Sequence, residues 1–402
     1  MKHGTLHEYY GQQEFLPTYG AFKSDQDLKV HEQHRRRLFT DKLYLPPRAF
    51  LNSRLLEFGP DSGENSLVFA RWGADCTLVE PNPKAHPAIQ EYFKQYNLSD
   101  KLRRLERSDI AEYAQRSGPY EKYDIIDAEG FIYTVKPDSL WMKLFARHLV
   151  DDGFVVLFYY EAFGSFLELV PKVIHSRMRQ LTGINSVEAA QKLFNSKWNS
   201  IPHKRSMESW TMDVLENPFV RLANFYEPQA LCRSMYEAGF SLYSSWPPYR
   251  DGLGIHWFKR VPSGDEQLES QNRFVAQSRL SHTFGRKLFL LESSRDVEQT
   301  LKGLLAATDA MLDSFDQHHV DKASGYLDFL ASIICSDAVF AEAKDKAGAL
   351  AIIRTLQKIL DLLAKGAVPD LIAFCNSDEA FISSWGMPSH FAVFRLDRRQ
   401  SA

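Results

Sequence analysis

The sequence predicts an α/β protein: a doubly wound, mostly parallel sheet followed by a helical bundle. Three observations carry this prediction. Between residues 54 and 160, short β-rich apolar runs alternate with helical stretches, the signature of βαβ units. The early runs close on glycines or acids, at the strand ends where ligands of such sheets bind. Over residues 290–384 the sequence is Ala- and Leu-rich with apolar positions at helical spacing, as in ALAIIRTLQKILDLLAK.

Taken in order, residues 1–50 read as an N-terminal helical or irregular segment. Strands are expected at 54–58, 76–80, 103–108, 123–127 and 154–160, separated by helices. Trp141, Phe145 and Leu149 recur at helical spacing and belong to the core. Residues 161–226 form a helical insert that reads as a lid, after which GFSLYSSWPPYRDGLGIHWFKRV (239–261) returns to β alternation around a Pro-Pro and Gly-rich bend. That places one domain over 51–264. The polar VPSGDEQLESQNR is a linker, and 265–402 is a helical domain with a last strand-like run at 390–396, HFAVFRL echoing HWFKR at 256–260. An isolated apolar strand leaves its amides unsatisfied, so this run is expected to rejoin the sheet while the bundle stays outside it.

The chemistry concentrates in LLEFGPDSGENSLVFARWGADCTLVEPNP (55–83). A strand delivers Glu57, and Gly59 and Gly63 then allow backbone amides to approach a ligand with no Cβ in the way. The next strand ends at Glu80, twenty-three residues after Glu57, where a carboxylate suits the two hydroxyls of a ribose. A nucleoside is the expected guest. A nicotinamide fingerprint needs G-x-G-x-x-G, and here Asp61 and Glu64 stand at two of its three glycines, which weakens a dehydrogenase reading.

These residues resemble the class I S-adenosylmethionine-dependent methyltransferases. The family's first motif, an acid followed by x-G-x-G-x-G, is matched at Glu57, Gly59 and Gly63 of EFGPDSG and departs at Asp61. A carboxylate there either crowds the methionine moiety or meets its ammonium group. The family's ribose acid corresponds to Glu80 in CTLVEPNP, its adenine-side acid to Asp109 in LERSDI, and its fourth-strand motif to YDIIDAEG, with Asp127 closing the strand before Glu129 and Gly130. The resemblance covers about residues 50–260. It implies a Rossmann-like sheet of about seven strands, with S-adenosyl-L-methionine held by Glu57, Gly59, Asp61, Gly63, Glu80, Asp109 and Asp127. Some of these residues also have structural readings: Asp109 suits the N-cap of IAEYAQR, and Glu129 a solvated loop.

The insert is locally basic. From Pro171 to Arg205 it carries Lys172, Arg177, Arg179, Lys192, Lys197, Lys204 and Arg205 against a single acid, Glu188, with His175 and His203 beside them. In PKVIHSRMRQL, Ile174, Met178 and Leu181 form one stripe and leave Lys172, His175 and Arg179 on another face. That face is either solvated or binds an anionic acceptor through Lys172, Arg177 and Arg179. If the acceptor atom needs a base, Glu129, Glu161 and His175 are the candidates, histidine being the best tuned near neutral pH.

Composition bounds the rest: 402 residues, 44 % hydrophobic, 25 % charged, net charge −3. No apolar run reaches the roughly 18 residues of a membrane span, and MKHGTLHEYYGQQEF lacks a secretory pattern, so the expected location is cytoplasmic. The four cysteines are far apart with no CxxC, which argues against a metal centre or a disulfide framework. The slight negative charge and the lack of a basic-aromatic stripe argue against nucleic acid. The expectation is a methyltransferase acting on a polar, anionic small molecule or glycan. A protein methyltransferase docking through the bundle, or a non-catalytic nucleoside-binding protein, is the alternative. The helical domain also offers a surface for self-association.

Overall fold

The structure, a computed structural model, describes residues 4–12, 16, 24–116, 120–202, 205–251 and 262–397. The strand expected at 255–261, and His203 and Lys204, lie outside the described residues. Nine strands are present among those described: β1 Arg54–Phe58, β2 Asp75–Val79, β3 Leu102–Glu106, β4 Tyr123–Glu129, β5 Leu149–Tyr160, β6 Phe240–Trp246, β7 Phe289–Leu290, β8 Val339–Phe340 and β9 Ser389–Leu396. Seven of them form one sheet in the order β3-β2-β1-β4-β5-β9-β6. The pairs β1/β2, β2/β3, β1/β4 and β4/β5 are parallel, and β6/β9 is antiparallel. Leu55, Leu56 and Phe58 of β1 are all buried, as expected of a central strand covered on both faces.

The chain leaves β1 toward β2 and β3, then returns to β4 on the other side of β1. That reversal opens a crevice at the carboxyl ends of β1 and β4. The register there sets Glu57 opposite Asp127. β5 begins at Leu149, earlier than the apolar run from Phe154 indicates, because Asp152 takes a left-handed φ of 63° and the β4/β5 ladder shifts register. β9 is interior, with His390, Ala392, Val393, Phe394 and Leu396 buried. β6 pairs with this strand, from the end of the chain.

The chain separates into two compact units. The sheet unit comprises residues 1–159, 228–268 and 390–402, and the helical unit 160–227 and 269–389. The segment read as a lid on the sheet domain thus belongs with the bundle. The reason is its burial: Leu169, Val173, Ile174 and Met178 of helix Phe166–Thr182 share a core with Leu304, Leu327, Ile352 and Ile359. A helix apolar on most of its circumference needs neighbours all round. The bundle also contains a two-stranded ribbon, β7 with β8, too short for periodicity to reveal. Trp141, Phe145 and Leu149 are core residues of the sheet unit. Among the described residues no helix is long and apolar enough to cross a membrane.

Candidate functional site

The turn after β1 runs through three left-handed residues: Gly59 at φ +64°, Asp61 at +51° and Gly63 at +88°. Side chains resist this conformation, and aspartate tolerates it better than most. Asp61 can therefore stand where the family pattern has glycine. The glycines also have no room for a substituent: a Cβ on Gly59 would lie 2.9 Å from Phe131 Cδ1, and one on Gly63 3.0 Å from Ile89 Cγ1. Gly63 then caps helix Glu64–Arg71. Across the turn, the Asp61 amide donates to Glu80 Oε2 at 3.1 Å and the Asn82 amide to Oε1 at 2.7 Å. Glu80 is buried, and burial pushes its carboxyl up to about 8.

Beside it lies a cluster of acids. Glu57 accepts from Ser66 Oγ, and burial pushes it up to about 8. Asp127, 1 % exposed, has no hydrogen-bond partner for either carboxylate oxygen among the described residues. Burial, then the neighbouring Glu129 and Glu57, hold it well above the usual carboxylate range. Glu129 is gripped from helix Asp25–Arg37: Arg35 Nη1 donates to Oε2 at 2.8 Å and Nη2 to Oε1 at 2.7 Å. Asn65 Nδ2 adds a third donor at 3.2 Å. The guanidinium also lies 4.8 Å from the Phe39 ring centroid and 5.2 Å from that of Phe69. Three carboxyl groups thus share one guanidinium in a region shielded from water, where burial favours the protonated forms of Glu57 and Asp127.

The fold brings Glu57, Gly59, Asp61, Gly63, Glu80, Asp127 and Glu129 together at the ends of β1, β2 and β4. Sequence reasoning missed Arg35. It stands in the run HRRR, and only the buried face shared with Leu28, one heptad earlier, separates it from Arg36 and Arg37. Asp109 follows β3 and caps helix Ile110–Ala114, accepting from the Glu112 amide at 2.8 Å in a capping box.

The remaining expected residues belong to the helical unit and are occupied there. The Lys172 ammonium donates to the carbonyls of Val214 and Asn217, and burial lowers it to about 7. His175 Nε2 lies 2.9 Å from the Ser186 carbonyl, and burial lowers its pKa. Arg179 pairs with Glu216, and the Arg177 guanidinium lies 4.7 Å over the Phe315 ring. The open basic face expected of this helix is therefore not formed, because the face carrying Lys172 and His175 is itself buried. Glu161 is also buried; it accepts from the Gly164 amide, and burial pushes it up to about 8.

No curated protein matches the chain. Among solved structures it is similar to a putative sarcosine dimethylglycine methyltransferase from Galdieria sulphuraria, at 11 % identity and a TM-score of 0.36, over 92 % of this chain and 86 % of that one. It is also similar to magnesium protoporphyrin IX methyltransferase from Synechocystis PCC 6803 with bound SAH, at 12 % identity and a TM-score of 0.36, over 60 % and 90 %. A third is the N-methyltransferase NodS from Bradyrhizobium japonicum WM9 in complex with S-adenosyl-l-homocysteine, at 16 % identity and a TM-score of 0.28, over 38 % and 74 %. The model of the family described as "Methyltransferase domain" matches residues 30–245, more than half of the chain. The chain belongs to that family and is an S-adenosylmethionine-dependent methyltransferase of class I.

Proposed function

We propose that the donor site is the acid-rich end of β1, β2 and β4, and that the acceptor is a polar small molecule. The observation that carries the reading is Asp127: a buried carboxylate with no partner among the described residues, beside Glu57 and Glu129 with only Arg35 to balance them. Ionising a buried, unpaired carboxyl costs several kcal/mol, so burial favours its protonated form, and such a site suits a cationic guest that supplies the opposite charge. S-adenosylmethionine carries an ammonium and a sulfonium, and when bound it supplies an activated methyl group. Asp127 and Glu57 would accept from the ammonium, Glu80 would accept from the ribose hydroxyls, and the glycines of the turn leave the backbone bare beside it. Asp109 would lie on the adenine side, its other role being the helix cap. Arg35 and Glu129 act as a positioning pair that fixes the floor of the site; a bidentate fork holds one geometry.

An anionic acceptor would need free basic groups, and those expected to supply them are spent inside the helical unit. The charge of the acceptor is therefore left out of the reading. Calorimetric titration with S-adenosylmethionine tests the donor site. Glu80→Ala should weaken binding by about 1.5–3 kcal/mol, the value of a lost charge-assisted hydrogen-bond pair. Unchanged affinity would remove Glu80 from the site.

A further inference from the structure

Arg35 carries a donor that its partner does not use. The tip of its guanidinium is spent on Glu129, to which Nη1 and Nη2 each donate. Nε is buried and finds no hydrogen-bond partner among the described residues. A guanidinium is rigid and planar, so the Nε–H points along the side of the plane and not at the carboxylate that holds its tip. A dry N–H without an acceptor costs free energy, which a ligand recovers by accepting from it.

The charges around this N–H set what the ligand must be. Burial works against the charge of Arg35, and Glu129, then Asp127 and Glu57, hold it charged. All four residues belong to the sheet unit. A guest bringing only positive charge would answer Asp127 and Glu57 and leave the Nε–H unanswered. A guest bringing only negative charge would meet three carboxyl groups. A zwitterion satisfies both sides, its cation against the acids and its anion against Nε. The methionyl end of S-adenosylmethionine is such a group, an ammonium and a carboxylate on one carbon, and a carboxylate matches the planar edge of a guanidinium.

Resting on the donor site proposed above, we infer that Arg35 Nε binds the α-carboxylate of the methyl donor. One guanidinium then both anchors Glu129 and selects a donor molecule that carries this carboxylate. Calorimetry on the full chain compares S-adenosylmethionine with its decarboxylated analogue, which keeps the adenosine, the sulfonium and the ammonium. The parent protein should bind S-adenosylmethionine at least about tenfold more tightly than the analogue, the loss expected of one charge-assisted hydrogen bond. Arg35→Gln should remove most of that preference, whereas a purely positioning role would weaken both ligands equally and leave their ratio in place. The ratio in the parent protein needs no variant, so it decides the matter even where Arg35→Gln fails to fold. Glu80→Ala should weaken both ligands by the same factor, because both carry the ribose; unchanged affinity there would strike the ribose contact and not the role of Arg35. A parent ratio near one, a ratio that Arg35→Gln leaves intact, or no binding of either ligand would each overturn the assignment of Arg35.

Discussion

Arg35 in the sheet unit and Lys172 in the helical unit are both buried cations, and their surroundings differ. Around Arg35 the acids outnumber it: Glu129 takes its fork, while Glu57 and Asp127 have no base of their own. In the helical unit the cations have answering groups. Lys172 has two carbonyls, Arg221 forks over Asp309 and Asp313, and Arg279 pairs with Glu298. A buried charge with a partner from its own chain is architecture; one without is an opening for a ligand.

The largest effect should come from the sheet. Phe394 on β9 is fully buried in a strand flanked on both sides, so Phe394→Ala should destabilise the sheet unit by about 3–5 kcal/mol in thermal or urea unfolding. A smaller loss would mean that the sheet tolerates a gap at its interior strand. In the helical unit, Lys172→Met keeps the volume but orphans two carbonyls. It should cost about 1–3 kcal/mol in unfolding and leave calorimetric donor affinity intact. Loss of donor affinity would break the distinction between the units.

Asp127→Asn should act in the opposite sense. Replacing a buried acid whose oxygens find no hydrogen-bond partner should leave the ligand-free protein at least as stable while weakening S-adenosylmethionine at least tenfold, the trade-off expected of a functional residue. A variant that gains stability and keeps full affinity would show the acid to be incidental.

The smallest effect is a pH slope. Burial raises Glu57 and Glu80 from an ordinary 4.5 to about 8, so the folded state keeps protons that the unfolded chain releases. Their stabilising contribution is complete below about 4.5 and is lost as pH rises through about 8. Lys172, lowered by burial from 10.5 to about 7, slopes the other way, its contribution growing as pH rises between those values. Melting curves of Glu80→Gln across neutral pH should be flatter than those of the parent. An unchanged slope would show that Glu80 is ionised in the folded state.

Much of the sheet was legible because its signals are local. A strand covered on both faces must be apolar, a left-handed turn must favour glycine or aspartate, and a ligand site at strand ends must interrupt the apolar run with polar groups. Each rule acts within a few residues, and the places of Glu57, Gly59, Gly63, Glu80 and Asp127 at the strand ends and the turn follow from them. The insert misled for the complementary reason: Lys172, His175 and Arg179 share a helical face in the sequence, and nothing local says that the face will be covered.

By itself, then, the sequence determined the α/β class, the alternation of its elements and the glycines and acids at the strand ends where the donor site is proposed, since these are properties of period and turn chemistry. Only the tertiary structure decided that Arg35 meets Glu129 across 94 residues, that residues 160–227 share a core with the bundle, and that β9 enters between β5 and β6. Those outcomes depend on which faces find partners when the whole chain packs. That choice is a sum over distant contacts, and no short stretch of sequence contains it.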